Sequence, residues 1–177
     1  MASLTKSSAQ RHEPKRSSIM REVEIPPVGL AGVLYVPGGA RSLVVFAHGS
    51  GSSRFSARNR AVADALNDRR IGTLLFDLLT SQEEASRANV FDIALLAQRL
   101  VDAVRFIDRD PGLSRLSLGL FGASTGAAAA LAASARLDGR IGAIVSRGGR
   151  PDLAGDILDQ VCTPTLLIVG GDDFGVI

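Results

Sequence analysis

The sequence predicts an α/β protein: a mostly parallel sheet with helices on both faces and an antiparallel hairpin at its start. Short apolar runs alternate along the chain with stretches in which apolar residues recur at helical spacing. Several of those runs are continuously apolar, as expected of strands buried on both faces. Their C-terminal ends carry the glycines and polar groups, where open parallel sheets of this kind bind ligands.

The elements follow in order. Residues 21–25 and 30–36, separated by Pro26-Pro27-Val28-Gly29, predict the hairpin. Residues 42–47 predict a buried strand that runs into His48-Gly49-Ser50-Gly51-Ser52-Ser53-Arg54. A helix is expected over 56–69, with Ala61, Val62, Ala65 and Leu66 inward, then a strand over 71–77. Residues 78–89 are polar and irregular, and 90–107 predict the longest helix, with Leu96, Leu100, Val104 and Ile107 on one face. A strand over 115–121, a helix over 125–137, a strand over 141–146, a loop over 147–151, a short helix over 153–160 and a last buried strand over 165–169 complete the pattern.

Residues 1–20, with Lys6, Arg11, Lys15 and Arg16, read as a disordered basic tail before one domain over 21–177. With 46% hydrophobic residues and no apolar run of membrane-spanning length, a soluble cytoplasmic protein without membrane association is expected. The formal charge of +2 is dispersed among Arg, Asp and Glu beyond the tail, and there is one Tyr and no Trp, which argues against nucleic acid as partner. Cys162 is the only cysteine; a buried structural thiol is expected, with no disulfide. Neither His12 nor His48 has a spaced partner, so no metal is expected.

The chemistry is concentrated at Gly122-Ala123-Ser124-Thr125-Gly126, a G-x-S-x-G pattern between an apolar strand and an alanine-rich helix. In a nucleophile elbow of this form a strained turn lifts a serine hydroxyl above the sheet, and its flanks must be small because helix and strand nearly touch. The plain alternative is a strand-turn-helix connection with Ser124 as helix N-cap.

Taken together, the motifs resemble the α/β-hydrolase fold and, more closely, the dienelactone hydrolase-like branch of it. The resemblance covers residues 21–177 and rests on three ordered stretches: VVFAHGSG at 44–51, GASTG at 122–126 and LIVGGDD at 167–173. It implies Ser124 as nucleophile and an oxyanion hole from the backbone N–H groups of Thr125 and of Ser50, preferred to Gly51. It implies Asp173 as the triad acid, with Asp172 as alternative, and a structural role for His48 at the oxyanion loop. The implied activity is that of an esterase or lactonase, acyl transfer to water through a Ser124 acyl-enzyme, with a small ester or lactone as substrate and no cofactor. Dienelactone hydrolases proper use cysteine at the elbow, so their lactone is not carried over.

A serine nucleophile needs a base, and in this fold the triad histidine follows the acid. No histidine follows Ser124. The expectation is an incomplete hydrolase domain, truncated before its last strand and helix and inactive or nearly so, with the last strand left as an apolar edge open to self-association. Two other functions remain. A non-catalytic relative would bind a ligand or partner through Arg54, Arg147 and Arg150, and a Rossmann-like module would bind a nucleotide through the 49–54 loop and Asp77.

Overall fold

The computed structural model describes residues 17–173. β1 (Ile19–Ile25) and β2 (Leu30–Val36) form the antiparallel hairpin, closing with Ile25 opposite Leu30. β1 starts at Ile19, so Ile19 and Met20 pair with Val36 and Tyr35 and belong to the domain; residues 1–16 of the expected tail lie outside the described residues. β3 (Ser42–Ala47), β4 (Gly72–Phe76), β5 (Ser117–Ser124), β6 (Ile141–Gly149) and β7 (Thr165–Ile168) complete one sheet in the order β1-β2-β4-β3-β5-β6-β7. β2 meets β4 antiparallel, and every pairing beyond β4 is parallel.

The helical elements are α1 (Ala57–Asn67), α2 (Ser81–Glu84), α3 (Arg87–Val90), α4 (Ile93–Arg109), α5 (Thr125–Arg136) and a 3-10 segment (Pro151–Gln160). The strand period of two, with a core on each face of the sheet, explains why β3 is apolar from Leu43 to Ala47. Leu43 and Val45 face a core shared with Leu100 and Val104 of α4 and Ala129 and Ala133 of α5. Val44 and Phe46 face a smaller core with Leu75, Phe121 and the α1 residues Val62, Ala63 and Leu66. Each such apolar side chain, once buried, contributes about 1.5–3 kcal/mol. The four α4 residues expected on its inward face are all buried.

Several expectations change at element ends. The inward face of α1 runs through Asn59, Val62, Ala63 and Leu66, while Ala61 and Ala65 are exposed. Alanine gives little hydrophobic contrast, so its spacing did not fix the helix's rotation. Residues 78–90 contain two short helices, of which α2 is capped by Thr80, and β6 continues through Arg147 to Gly149, where a loop was expected, because Ala123 and Ser124 still offer it partners. Cys162 is exposed, between the 3-10 segment and β7, where no described element covers it. β7 itself is exposed along its length: among the described residues it pairs with β6 alone, and Leu166, Leu167 and Ile168 stand 57%, 54% and 47% exposed.

Candidate active site

The elbow forms where β5 ends and α5 begins. Ser124 adopts φ 52°, ψ −125°, a left-handed conformation rarely taken by a residue with a side chain, and its hydroxyl makes no helix-capping hydrogen bond. Ser124 thus holds the N-cap position of α5 without capping it through its side chain. The flanking glycines are required by contact: a Cβ at Gly122 would lie 2.4 Å from the Ala127 Cα, and one at Gly126 would lie 2.3 Å from the Ala47 carbonyl oxygen. Gly49 passes so close to the serine that a Cβ there would sit 2.9 Å from the Ser124 Cβ.

The two residues expected to form the oxyanion hole meet. The Ser50 N–H donates to the Thr125 hydroxyl at 3.1 Å, and Thr125 is almost wholly buried at the first position of α5. Backbone N–H groups in a helix's first turn have no acceptor within the helix, so that of Thr125 is directed outward from its start.

His48 is fully engaged elsewhere. Its Nε2 accepts from the Leu78 N–H at 3.1 Å, and its Nδ1 lies 3.0 Å from the Gly49 carbonyl oxygen, which fixes a neutral ring with the proton on Nδ1. It ties the oxyanion loop to the end of β4, and neither nitrogen faces Ser124 free to take a proton.

Ser124 and Asp173 line one cleft of about 620 Å³, together with Ser52, Asn59, Arg147 and Gly148. Asp173 follows β7 in a turn closed by its own N–H donating to the Gly170 carbonyl at 3.0 Å, and a Cβ on Gly148 would lie 3.7 Å from its Oδ2. Asp172 does not line this cleft. A second cavity of about 220 Å³, lined by His48, Ser50, Arg54, Asp77, Leu96 and Thr125, opens on the other side of the oxyanion loop.

The three arginines expected at the pocket mouth separate. Arg54 is tied to Asp77 through its guanidinium and through its backbone N–H at 2.7 Å, and Arg150 binds Asp152 with two hydrogen bonds of 2.8 and 2.6 Å. Arg147 alone faces the Ser124 cleft. Asn59, which sequence reasoning missed, is 3% exposed and accepts from Arg147 at 3.3 Å. The only signal for it was a polar residue on what proves to be the inward face of α1. Asp77, the acid that a nucleotide-binding loop needs for a ribose, is already occupied by Arg54.

A dienelactone hydrolase from Anabaena variabilis superposes with a TM-score of 0.84 at 49% identity, covering 92% of this chain and 77% of that one. A dienelactone hydrolase-like promiscuous phosphotriesterase from metagenomic libraries (TM-score 0.69, 20% identity, 88% and 70% covered) and a cold-adapted esterase from an Arctic intertidal metagenomic library (0.66, 17%, 94% and 77%) share the fold. A Mycobacterium tuberculosis protein that provisionally carries the name phosphoribosyl transferase is 59% identical over 152 residues, 86% of this chain. The chain spans 34% of that relative's length. No family model matches the chain.

Proposed function

The chain belongs to the dienelactone hydrolase-like family of α/β-hydrolases, and on that footing we propose that it is the nucleophile-bearing part of a serine esterase or lactonase. Ser124 attacks the carbonyl of a small ester as a base takes its hydroxyl proton; the N–H groups of Thr125 and Ser50 bind the oxygen on which charge develops; the C–O bond to the alcohol breaks and the alcohol leaves with that proton; water, deprotonated by the same base, then releases the acyl group as the acid and restores Ser124. Each oxyanion donor is worth about 2.7–4 kcal/mol in such sites. Asp173 is the acid that would orient a base, preferred to Asp172 because it shares the Ser124 cleft. The observation that carries the reading is the positive φ of Ser124 at the junction of β5 and α5, beside the loop whose Ser50 N–H reaches Thr125.

These 177 residues contain no histidine after Ser124, and His48 has both ring nitrogens bonded. The chain by itself is therefore expected to turn over esters poorly. Turnover of a p-nitrophenyl ester by the chain is expected to match a Ser124→Ala control. A clear Ser124-dependent rate in plain buffer contradicts the missing base.

A non-catalytic ligand-binding role is the second reading, favoured by the same missing histidine. The transferase name of the mycobacterial relative describes a protein of which this chain matches a third, and no residue of the site argues for that chemistry here. The open β7 edge, with unpaired backbone groups and exposed leucines, favours pairing with a second copy.

A further inference from the structure

The tip of the loop that carries Ser50 has little packing to hold it. Between His48 and Arg54 the loop is built of glycine and serine alone. Gly51, at φ 66°, has nothing within 4 Å of the place a Cβ would occupy, and both Ser50 and Gly51 are exposed. Inside the loop, the Ser52 N–H donates to the Gly49 carbonyl at 3.2 Å and closes a turn. An oxyanion donor has to be fixed before the reaction, because a donor ordered only as the charge develops loses to reorganisation what it gains in attraction.

Both ends of the loop are held from one place in the fold, the end of β4. At the first end, the Leu78 N–H donates to His48 Nε2 at 3.1 Å. At the other, the adjacent residue Asp77 takes Arg54 twice: one carboxylate oxygen accepts the Arg54 backbone N–H at 2.7 Å, and the other accepts its guanidinium. The guanidinium carbon also lies 4.2 Å from the centre of the Phe55 ring. Asp77 is anchored in turn, its own N–H donating to the Ala31 carbonyl of β2 at 3.0 Å. The Arg54 and Asp77 side chains are 24% and 21% exposed, so salt screens them less than an ion pair standing in solvent. Charge-assisted bonds from one carboxylate to both the backbone and the side chain of a single residue fix its place and its direction.

We propose that Asp77 is a positioning residue of the site: through Arg54 it holds the loop so that the Ser50 N–H stays at Thr125, beside Ser124. The holding of the loop stands on these contacts alone; its use in acyl transfer rests on the hydrolase reading.

The test compares the 177-residue chain with three variants. Asp77→Ala removes both contacts to Arg54, Asp77→Asn keeps an oxygen for the Arg54 N–H without the charge, and Asp108→Asn breaks the Arg140 ion pair, whose arginine lies by Leu116 at the opposite end of β5 from Ser124. Amide hydrogen exchange of residues 49–53 is expected to speed up at least about tenfold in Asp77→Ala, less in Asp77→Asn and not at all in Asp108→Asn, while α4 and α5 stay protected. The second readout is acylation of Ser124 by p-nitrophenyl acetate, with imidazole taking the hydroxyl proton as p-nitrophenolate leaves. In Asp77→Ala the limiting rate constant is expected to fall at least about tenfold, and in Asp77→Asn by less, with the half-saturating ester concentration within about twofold of wild type, because the Ser50 N–H acts on the charge that develops and not on the ester as it binds. If Asp77→Ala loses protection throughout the domain, Asp77→Asn decides by the same two measures. Unchanged exchange of residues 49–53 in the Asp77 variants overturns the proposal, and so does faster exchange with an unchanged acylation rate. Exchange that depends on Asp77 with no acylation of wild-type Ser124 leaves the held loop standing and removes the hydrolase reading, whereas Ser124 acylation indifferent to Asp77 does the reverse.

Discussion

At Ser124 the chain holds a backbone conformation that costs on the order of 1–3 kcal/mol and is tolerated because its surroundings leave no alternative. Gly126 is the tightest of those surroundings. A methyl group there would overlap the carbonyl oxygens of Ala47 and His48, both at 2.5 Å or less, so strand and helix would have to part. Gly126→Ala is expected to destabilise the fold by at least about 3 kcal/mol, read as a lowered midpoint in urea. The small residues that make this contact were legible in the sequence, since nothing larger fits between crossing backbones. The role of His48 followed from the family resemblance and is accounted for by its two hydrogen bonds. The contact between Asn59 and Arg147 was not legible, because it joins residues far apart in the chain.

Among the elements, α2 shows how a stretch that reads as irregular acquires structure. Thr80 and Glu83 form a reciprocal capping box: the Thr80 hydroxyl accepts from the Glu83 N–H at 3.2 Å, and the Glu83 carboxylate accepts from the Thr80 N–H at 2.9 Å. The same carboxylate binds Arg99 of α4 at 2.6 Å, so one side chain anchors the segment to the longest helix. The Thr80 N–H first, and then the Arg99 charge, hold the Glu83 carboxyl below its ordinary value against an opposing effect of burial. A carboxylate with a lowered folded value adds stability that is present above the unfolded value and is lost as the pH falls through the folded one. Glu83→Gln is therefore expected to lower the melting temperature at neutral pH and to narrow the gap from wild type as the solution is acidified below the ordinary glutamate range; an equal gap at both pH values contradicts this. The capping residues were visible as single letters, but a helix of four residues has too little periodicity to be read from spacing.

For the whole molecule, the mostly parallel sheet and its starting hairpin were readable from continuous apolar runs alternating with helical stretches, whereas the strand order, with β4 between β2 and β3, was not. The exposure of the last strand was readable only in part. Residues 165–169 look like any buried strand, and what decides their burial is whether another element lies beyond them. Leu167 is 54% exposed on an edge with one paired side. A charge there both repels a second copy and weakens edge pairing, so Leu167→Lys is expected to shift the chain toward monomer in light scattering at high concentration. A wild-type chain that is already monomeric under the same conditions contradicts association through this edge.

The central claim is that Ser124 is a nucleophile complete except for its base, and it is tested most directly by supplying one. The chain is incubated with p-nitrophenyl acetate, with and without imidazole, and the acyl adduct is located by peptide mass. The account predicts an acetyl group on Ser124 that forms faster with imidazole and is absent from Ser124→Ala. Acetylation confined to other residues, or equal labelling of the variant, would contradict it.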